Sequence, residues 1–426
     1  MNMATAMAVP KKRLHLAELM TTMRFQITPN GRILRTIAVV AVSVVGFLAV
    51  THTLAYQLRS QRPDLATRFA PYDGRIAAMA AAYRSAPSAT SDDRRAGDML
   101  ARRALRLDPT AVVAASTIGL NAQVRGDTPQ ARRIFAYASF LSRGELQTQL
   151  WAIEDAVGRG SVLDALQHYD IVLRSTPSLS QMLFPPLTSA SADPEIRDAL
   201  IKKLVAKPSW GTAFIVHVAA NTSDPKSAAQ LFKNLNRVGV TIPDDARAYL
   251  ISSLLSHGFV DDAWDYYATL FPNADRRKSR DPRFMGAMDP PSQFDWILGS
   301  GEGVSSSIQS GRNTGILDFS APSMVGGSII QQVQVLPVGR YTIRGHSVGI
   351  EQNASGNPYW SLSCQGGKEL GLINVSNSKQ GGGNFSGRFD VPPRCPIQVL
   401  SLVARPSGEI AGVSGQIDFL QLEPAP

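Results

Sequence analysis

Three patterns of apolar and polar positions follow one another along the chain. From 36 to 58 there is no formally charged side chain, and the stretch lies between Arg35 and Arg59. Its centre, IAVVAVSVVGFLAV, is apolar all round, without the 3.6-residue stripe of a half-buried helix. At 1.5 Å per residue, roughly 21–23 residues cross ~30 Å of hydrocarbon, so the pattern predicts one transmembrane helix. From about 80 to 272 the apolar positions recur at helical spacing, with small residues returning every 34 positions. Ala131 and Ala165 are 34 apart, as are Gly126 and Gly160, and again Ala229 and Ala263, with Gly97 standing 34 before Ala131. Beyond about 275, short alternating segments replace the helical period. Ile329 to Val335, the turn Leu336-Pro337-Val338-Gly339 and Arg340 to Arg344 read as strand, tight turn, strand. Further strands fit 360–364, 387–391, 397–403 and 415–422, which predicts an antiparallel sandwich. The expected fold class is thus α+β and multidomain: one transmembrane helix, an all-α solenoid, then an antiparallel β-sandwich.

Composition sharpens the boundaries. The chain has 426 residues, 44 % of them apolar and 18 % charged, which excludes a disordered polypeptide. Its net charge of +9 is unevenly placed. Lys11, Lys12, Arg13, Arg24, Arg32 and Arg35 face only Glu18 in the first 35 residues, whereas 284–426 is slightly acidic. The basic excess therefore belongs largely to a tail and does not indicate a nucleic-acid partner. A cationic flank before the span keeps the N-terminus in the cytoplasm and the rest of the chain outside it. A signal peptide cut after Ala55 is the competing reading, and Met20 or Met23 could serve as the start. The run DRRKSRDPRF at 275–284 reads as an exposed charged connector, and 22 of the 34 glycines lie beyond it. The expected domains are a tail (1–35), a span (36–58), a juxtamembrane linker (59–79), helical repeats (80–274), a charged linker (275–284) and a sandwich (285–426).

The helical period resembles the tetratricopeptide repeat. The best unit has Ile118 and Gly119 in its first helix and Ala131, Phe135 and Ala138 in its second. The next keeps Ala165 and Tyr169, and the last Ala263 and Tyr267. In such a hairpin a small residue lets two helices approach, and the aromatic four positions on fills the wedge to the next hairpin. The first helices lack the family's large aromatic, and 178–211, with Pro185, Pro186 and Pro208, departs from the period and reads as a degenerate pair. The resemblance implies a surface for protein partners.

The last third resembles the jelly-roll, carbohydrate-binding-like domains of bacterial envelope proteins. The features that carry this are Phe294-Asp295-Trp296, a hairpin ending Gly339-Arg340-Tyr341-Thr342, and the closing GQIDFLQL at 415–422. It implies a polysaccharide as a second partner, bound by exposed aromatic faces among planar polar groups. Tyr359 and Trp360 are the candidate platform. Adjacent residues of a strand face opposite ways, so Tyr359 is the better choice if Trp360 packs with Leu362. The triple glycine 381–383 reads as a flexible hairpin tip. Cys364 and Cys395, the only cysteines, lie in this one domain on the expected extracytoplasmic side and read as a structural disulfide.

Chemistry is sparse. No nucleophile elbow, phosphate-binding glycine loop or His-Glu-x-x-His occurs. His168, His217 and His257 share no ligand spacing, so no metal or cofactor is expected. Asp295, Glu302, Glu351 and Asp418 are the carboxylates that glycoside hydrolysis would need in a pair. The expectation is a non-enzymatic protein. The layout resembles single-pass accessory proteins of polysaccharide export or envelope assembly, anchored in the bacterial inner membrane with the bulk of the chain periplasmic. It implies a scaffold for protein partners or, alternatively, a glycan-binding accessory protein.

Overall fold

A computed structural model describes residues 29–426 except 287, 300, 302, 312, 313, 354 and 408–411, with side chains from residue 33 onward. Most of the basic tail (1–28) lies outside the described residues. The chain divides into two compact units, 1–145 and 146–426. The composition break near 275 separates helices from strands, yet the second unit contains both.

The first unit holds α1 (Pro29–Leu58), α2 (Pro63–Phe69), α3 (Gly74–Arg84), α4 (Ser91–Leu107), α5 (Val112–Val124) and α6 (Thr128–Leu141). From Ile33 to Val50 every side chain of α1 is exposed. Eighteen such residues measure roughly 27 Å, so α1 is long and apolar enough to cross a membrane. Its last turns behave differently: Ala55 is buried with Ala66, Ala70 and Ile76, and His52 Nε2 lies 3.0 Å from Asp73 Oδ2. Helices α3 to α5 meet through alanines, among them Ala77, Ala81, Ala101, Ala104 and Ala114. A Cβ on Gly97 would stand 2.3 Å from Ser85 Oγ, which shows how close α3 and α4 come.

The second unit continues with α7 (Leu146–Gly158), α8 (Val162–Ser175), α9 (Ser180–Ala190), α10 (Pro194–Val205), α11 (Gly211–Asn221), α12 (Pro225–Arg237), α13 (Asp244–Ser256) and α14 (Val260–Leu270). These form consecutive helix pairs, whose first members begin at 146, 180, 211 and 244. The stretch around 178–211, which departs from the sequence period, is a helix pair like the others. Pro185 and Pro186 lie inside α9, and Pro194 opens α10, where a missing N–H leaves no bond unmade. One apolar core runs through these helices, from Leu166 and Tyr169 by way of Phe214 and Phe232 to Tyr267.

Among the described residues ten strands follow: β1 (Ile297–Leu298), β2 (Ser305–Ser310), β3 (Gly315–Ala321), β4 (Gly327–Gln334), β5 (Gly339–Val348), β6 (Tyr359–Cys364), β7 (Glu369–Asn374), β8 (Asn384–Val391), β9 (Gln398–Ala404) and β10 (Val413–Pro424). They make two antiparallel five-stranded sheets, ordered β1-β4-β9-β6-β7 and β2-β3-β10-β5-β8. Trp360, Phe319, Phe389, Leu362, Leu400 and Ile417 belong to the core of the sandwich.

Three sequence expectations need correction. The segments read as a hairpin at 329–344 are β4 and β5, which belong to different sheets. The link between them is an arch: Leu336 and Tyr341 are buried, and Tyr341 Oη donates to Pro337 O at 2.8 Å. A local strand–turn–strand pattern is the same for both connections. The glycines 381–383 also join strands of different sheets, β7 and β8. All three have left-handed φ; Gly381 and Gly382 are exposed, whereas a Cβ on Gly383 would sit 2.2 Å from Ser347 O, so the turn is anchored at its third glycine. Finally, 275–284 is no exposed connector throughout. Ser279, Arg280 and Phe284 are buried, and the segment bonds along β10 through Ser279 N to Leu422 O (2.9 Å) and Leu420 N to Pro282 O (2.9 Å).

Candidate functional site

The outer face of the first sheet follows from strand alternation. Trp360 and Leu362 point into the core at 0 % exposure, so Tyr359, Ser361 and Ser363 share the opposite face. Trp360 is therefore not a platform: its indole belongs to the sandwich core, tilted against Trp296 at 5.8 Å. Tyr359 is half-buried on the outside.

Cross-strand register assembles the rest. Tyr359 pairs with Val403 of β9 and Asn374 of β7, and Ser361 pairs with Ser401 and Leu372. Ser401 in turn pairs with Gln331 of β4. A row of Gln331, Ser401, Ser361 and Leu372 thus crosses four strands, about 14 Å at the usual strand spacing. Beside it runs the row Val403, Tyr359, Asn374. The two serines carry the smallest side chains, so they make a low floor flanked by the taller Gln331 and Tyr359. Arg405, just past β9, closes one end: its guanidinium carbon stands 4.6 Å from the Tyr359 ring centroid, and Nη2 donates to Asn374 Oδ1 at 2.9 Å. The cation over one ring face and the amide behind it hold Tyr359 in place. Among the described residues, Tyr359 Oη, Gln331 and the hydroxyls of Ser361 and Ser401 make no side-chain hydrogen bond, so the floor presents uncommitted donors and acceptors beside an aromatic ring.

The other sheet differs. Several of its outward polar groups are paired: His346 Nδ1 with Asp418 Oδ1 (2.8 Å), Gln416 Nε2 with Asp318 Oδ2 (2.8 Å), and Glu423 with Arg344 and with Lys278 of the preceding segment. The carboxylates considered for hydrolysis are each engaged separately. Asp418 holds His346, Glu351 holds Lys379 at 2.9 Å, and Asp295 accepts from Tyr267 and Ser292, while Glu302 lies outside the described residues.

Cys364 at the end of β6 and Cys395 before β9 are joined, with Cα atoms 5.6 Å apart. The bond ties the strand that carries Tyr359 to the approach of its neighbour. His168 Nδ1 donates to Gln149 Oε1 at 2.6 Å, and His257 Nδ1 donates to Ser253 O at 2.8 Å on the last turn of α13. Burial lowers the pKa of His168 and of His217, which favours the neutral ring in both. No group of three His, Cys, Asp or Glu side chains arranged for a metal occurs among the described residues.

The repeat positions fall as follows. Gly119 on α5 faces Phe135 on α6, where an added Cβ would lie 2.8 Å from the ring; Ile118, Ala131 and Ala138 are buried beside them. Ala165 and Tyr169 on α8 border an apolar cavity of about 390 Å³ with Ile153, Val157, Pro186 and Leu187. Ala263 and Tyr267 are buried on α14. Tyr267 fills no wedge to a further hairpin: it meets Phe294 at 5.3 Å between centroids and donates to Asp295 Oδ1 at 2.8 Å, so the last aromatic docks the sandwich.

No family model matches the sequence, and no match was found among curated proteins. Among solved structures, the chain is similar to TmCBM61 in complex with β-1,4-galactotriose, at 14 % identity and a TM-score of 0.24 over 34 % of this chain and 97 % of that one. A carbohydrate-binding module of Cellvibrio mixtus lichenase 5A, solved with cellotriose, matches at 10 % identity and 0.21 over 31 % and 98 %. The glycosylation-associated Gap123 complex of Streptococcus agalactiae matches at 13 % and 0.19 over 29 % and 39 %. Each of these likenesses extends over no more than 34 % of this chain.

Proposed function

We propose that this chain is a non-catalytic, membrane-anchored accessory protein that binds a polysaccharide on the outer face of strands β4, β9, β6 and β7, with Tyr359 as the stacking platform. One observation carries the reading: the fixed Tyr359 ring stands beside a floor of hydroxyl and amide groups without partners of their own. Pyranose rings offer apolar faces edged by hydroxyls, and this combination of one aromatic face with planar and hydroxyl groups complements them. Affinity electrophoresis of the detergent-solubilised chain, in gels containing the host's envelope and secreted polysaccharides, tests it. Retardation should fall about ten-fold in Tyr359→Ala, equivalent to ~1.4 kcal/mol, with thermal stability preserved. Retardation by none of these polysaccharides, or full retention in the variant, would overturn the reading.

A second reading, a scaffold for protein partners of the same envelope or polysaccharide-export system, is favoured by the apolar cavity beside Ala165 and Tyr169. Val157 at its edge is 62 % exposed, so the cavity opens to solvent with an apolar rim. Val157→Asp should abolish capture of such a partner in crosslinked envelope extracts while leaving glycan retardation intact.

A further inference from the structure

The first unit contains a cavity that neither reading uses. About 420 Å³ in volume, it lies beside the C-terminal end of α1 and has a mixed lining. Met79, Val113 and Leu141 contribute apolar surface to it, and Tyr56, Arg59 and Arg75 contribute an aromatic ring and two cations. Arg59 donates one Nη to Tyr56 O (2.7 Å), and its guanidinium carbon stands 3.3 Å from the Tyr56 ring centroid. Arg75 donates through Nε to Asp108 Oδ2 (3.1 Å). Each guanidinium therefore keeps nitrogens that make no other hydrogen bond among the described residues. Arg75 is paired with Asp108, whereas Arg59 has no carboxylate partner among the described residues, so one guanidinium at the cavity keeps its charge unpaired.

Position adds to chemistry. The uniformly exposed apolar stretch of α1 ends at Val50, and Tyr56 lies about 9 Å farther along the axis, beside the headgroup layer of a bilayer that α1 spans. Helical side chains lean toward the N-terminus, here toward the membrane, and Arg59 folds back over Tyr56 in that direction. Exposed Phe69 and Tyr72 flank the same end of α1 as interfacial aromatics do. We infer that this cavity seats an anionic phospholipid, its phosphodiester between Arg59 and Arg75 and its first acyl carbons against Met79, Val113 and Leu141. The inference rests on the anchored reading of α1. A seated lipid would fix how the first unit stands on the bilayer.

Native mass spectrometry of the full chain released from detergent, with phosphatidylglycerol and phosphatidylcholine of identical acyl chains as probes, tests this. Phosphatidylglycerol should be retained at least ten-fold more than phosphatidylcholine. Arg59→Ala and Arg75→Ala should each weaken retention roughly five-fold, the effect of one cation near a membrane surface. Arg102→Ala, an exposed arginine away from the cavity, should change nothing. Equal retention of both lipids, or unchanged retention in both cavity variants, overturns the inference. Displacement of phosphatidylglycerol by glycerol 3-phosphate at equal concentration also overturns it, by assigning the cavity to water-soluble phosphate esters. Co-sedimentation with phosphatidylcholine vesicles separates the two levels. A chain that fails to co-sediment loses the anchor itself, whereas one that co-sediments without selecting phosphatidylglycerol loses only the lipid site.

Discussion

Replacing Arg280 with alanine tests whether the charged run 275–284 is a tether or a clamp. Its guanidinium is buried and donates to Gln334 Oε1 (2.8 Å), to Phe294 O (3.0 Å) and to Val333 O, while Trp264 and Phe294 lie beside it at 5.7 and 5.4 Å. Its backbone is gripped as well: N donates to Gln332 Oε1 and O accepts from Gln332 Nε2, both at 3.1 Å. Three bonds from a cation contribute about 1.5–3 kcal/mol each. Against them stands desolvation, which pushes the Arg280 pKa down to about 10, roughly 3 kcal/mol of opposing free energy. Truncation relieves that opposition but strands three buried acceptors and opens a void, so the expected net loss is about 2–4 kcal/mol. For a unit of this size that is a fall in Tm of roughly 3–7 °C. Arg280→Lys, which offers a point charge in place of a fork, should lose about half as much. Arg277→Ala, an exposed neighbour in the same run, should change Tm little. The sign with pH is also fixed. With the folded pKa below the unfolded one, the unfolded chain binds the proton more tightly, so this group adds stability only as pH rises above about 10. Between pH 6 and 9 the difference between wild type and Arg280→Ala should therefore be flat. Differential scanning fluorimetry on the detergent-solubilised chain measures all four proteins. Equal small shifts for Arg280→Ala and Arg277→Ala would refute the clamp and restore the tether.

Three further outcomes follow. Gly119→Ala places a methyl 2.8 Å from the Phe135 ring, so despite a helix-propensity gain of about 1 kcal/mol it should destabilise the first unit by about 1–2 kcal/mol; the same change in a Phe135→Leu background should cause no further loss, as read by urea unfolding. Replacing Cys364 and Cys395 together by serine opens a loop of 31 residues and should remove on the order of 3–4 kcal/mol in the chain-entropy model, with glycan retardation falling because β6 carries Tyr359; an unchanged Tm would contradict it. A reporter that works only outside the cytoplasm, fused after Pro426, should be active, and activity of a cytoplasmic-only reporter instead would reverse the proposed orientation.

How far the fold was legible depended on whether a signal was local. The apolar run of α1 and the helical period are one-dimensional patterns, and both name their elements directly. Six strands could be read the same way, since β9 alternates buried and half-buried residues without a break. The edge strands β2 and β7 were missed for a physical reason, although the edge strand β8 was read at 387–391. β2 reads SSSIQS and β7 reads ELGLIN with Gly371 inside; neither carries a full buried face, because an edge strand packs little on one side. β3, in contrast, alternates clearly and was there to be found. Which strands pair was not legible at all, and that is why β4 and β5 looked like a hairpin.

The same limit decided what could be known of the site. Alternation alone separates Tyr359 from Trp360 and adds Ser361 two positions on, because a strand repeats its faces every second residue. Arg405, Asn374, Ser401 and Gln331 reach that ring only through the register of three other strands, and no spacing in the sequence brings them to it. Arg280 illustrates the opposite error: five cationic residues within 275–284 look solvated as a group, yet one of them lies where two carbonyls, a glutamine and two aromatic rings converge. Charge count along a segment measures its average wish for water, whereas burial is decided one side chain at a time by the acceptors that meet it. The sheet face and the clamp are therefore linked. Val333, whose carbonyl takes the Arg280 bond, stands on β4 two residues from Gln331, so the contact that docks the sandwich on α14 also holds one strand of the proposed glycan floor. Loosening Arg280 should lower glycan retention without touching a residue of the floor, a coupling that an unconnected tether would lack.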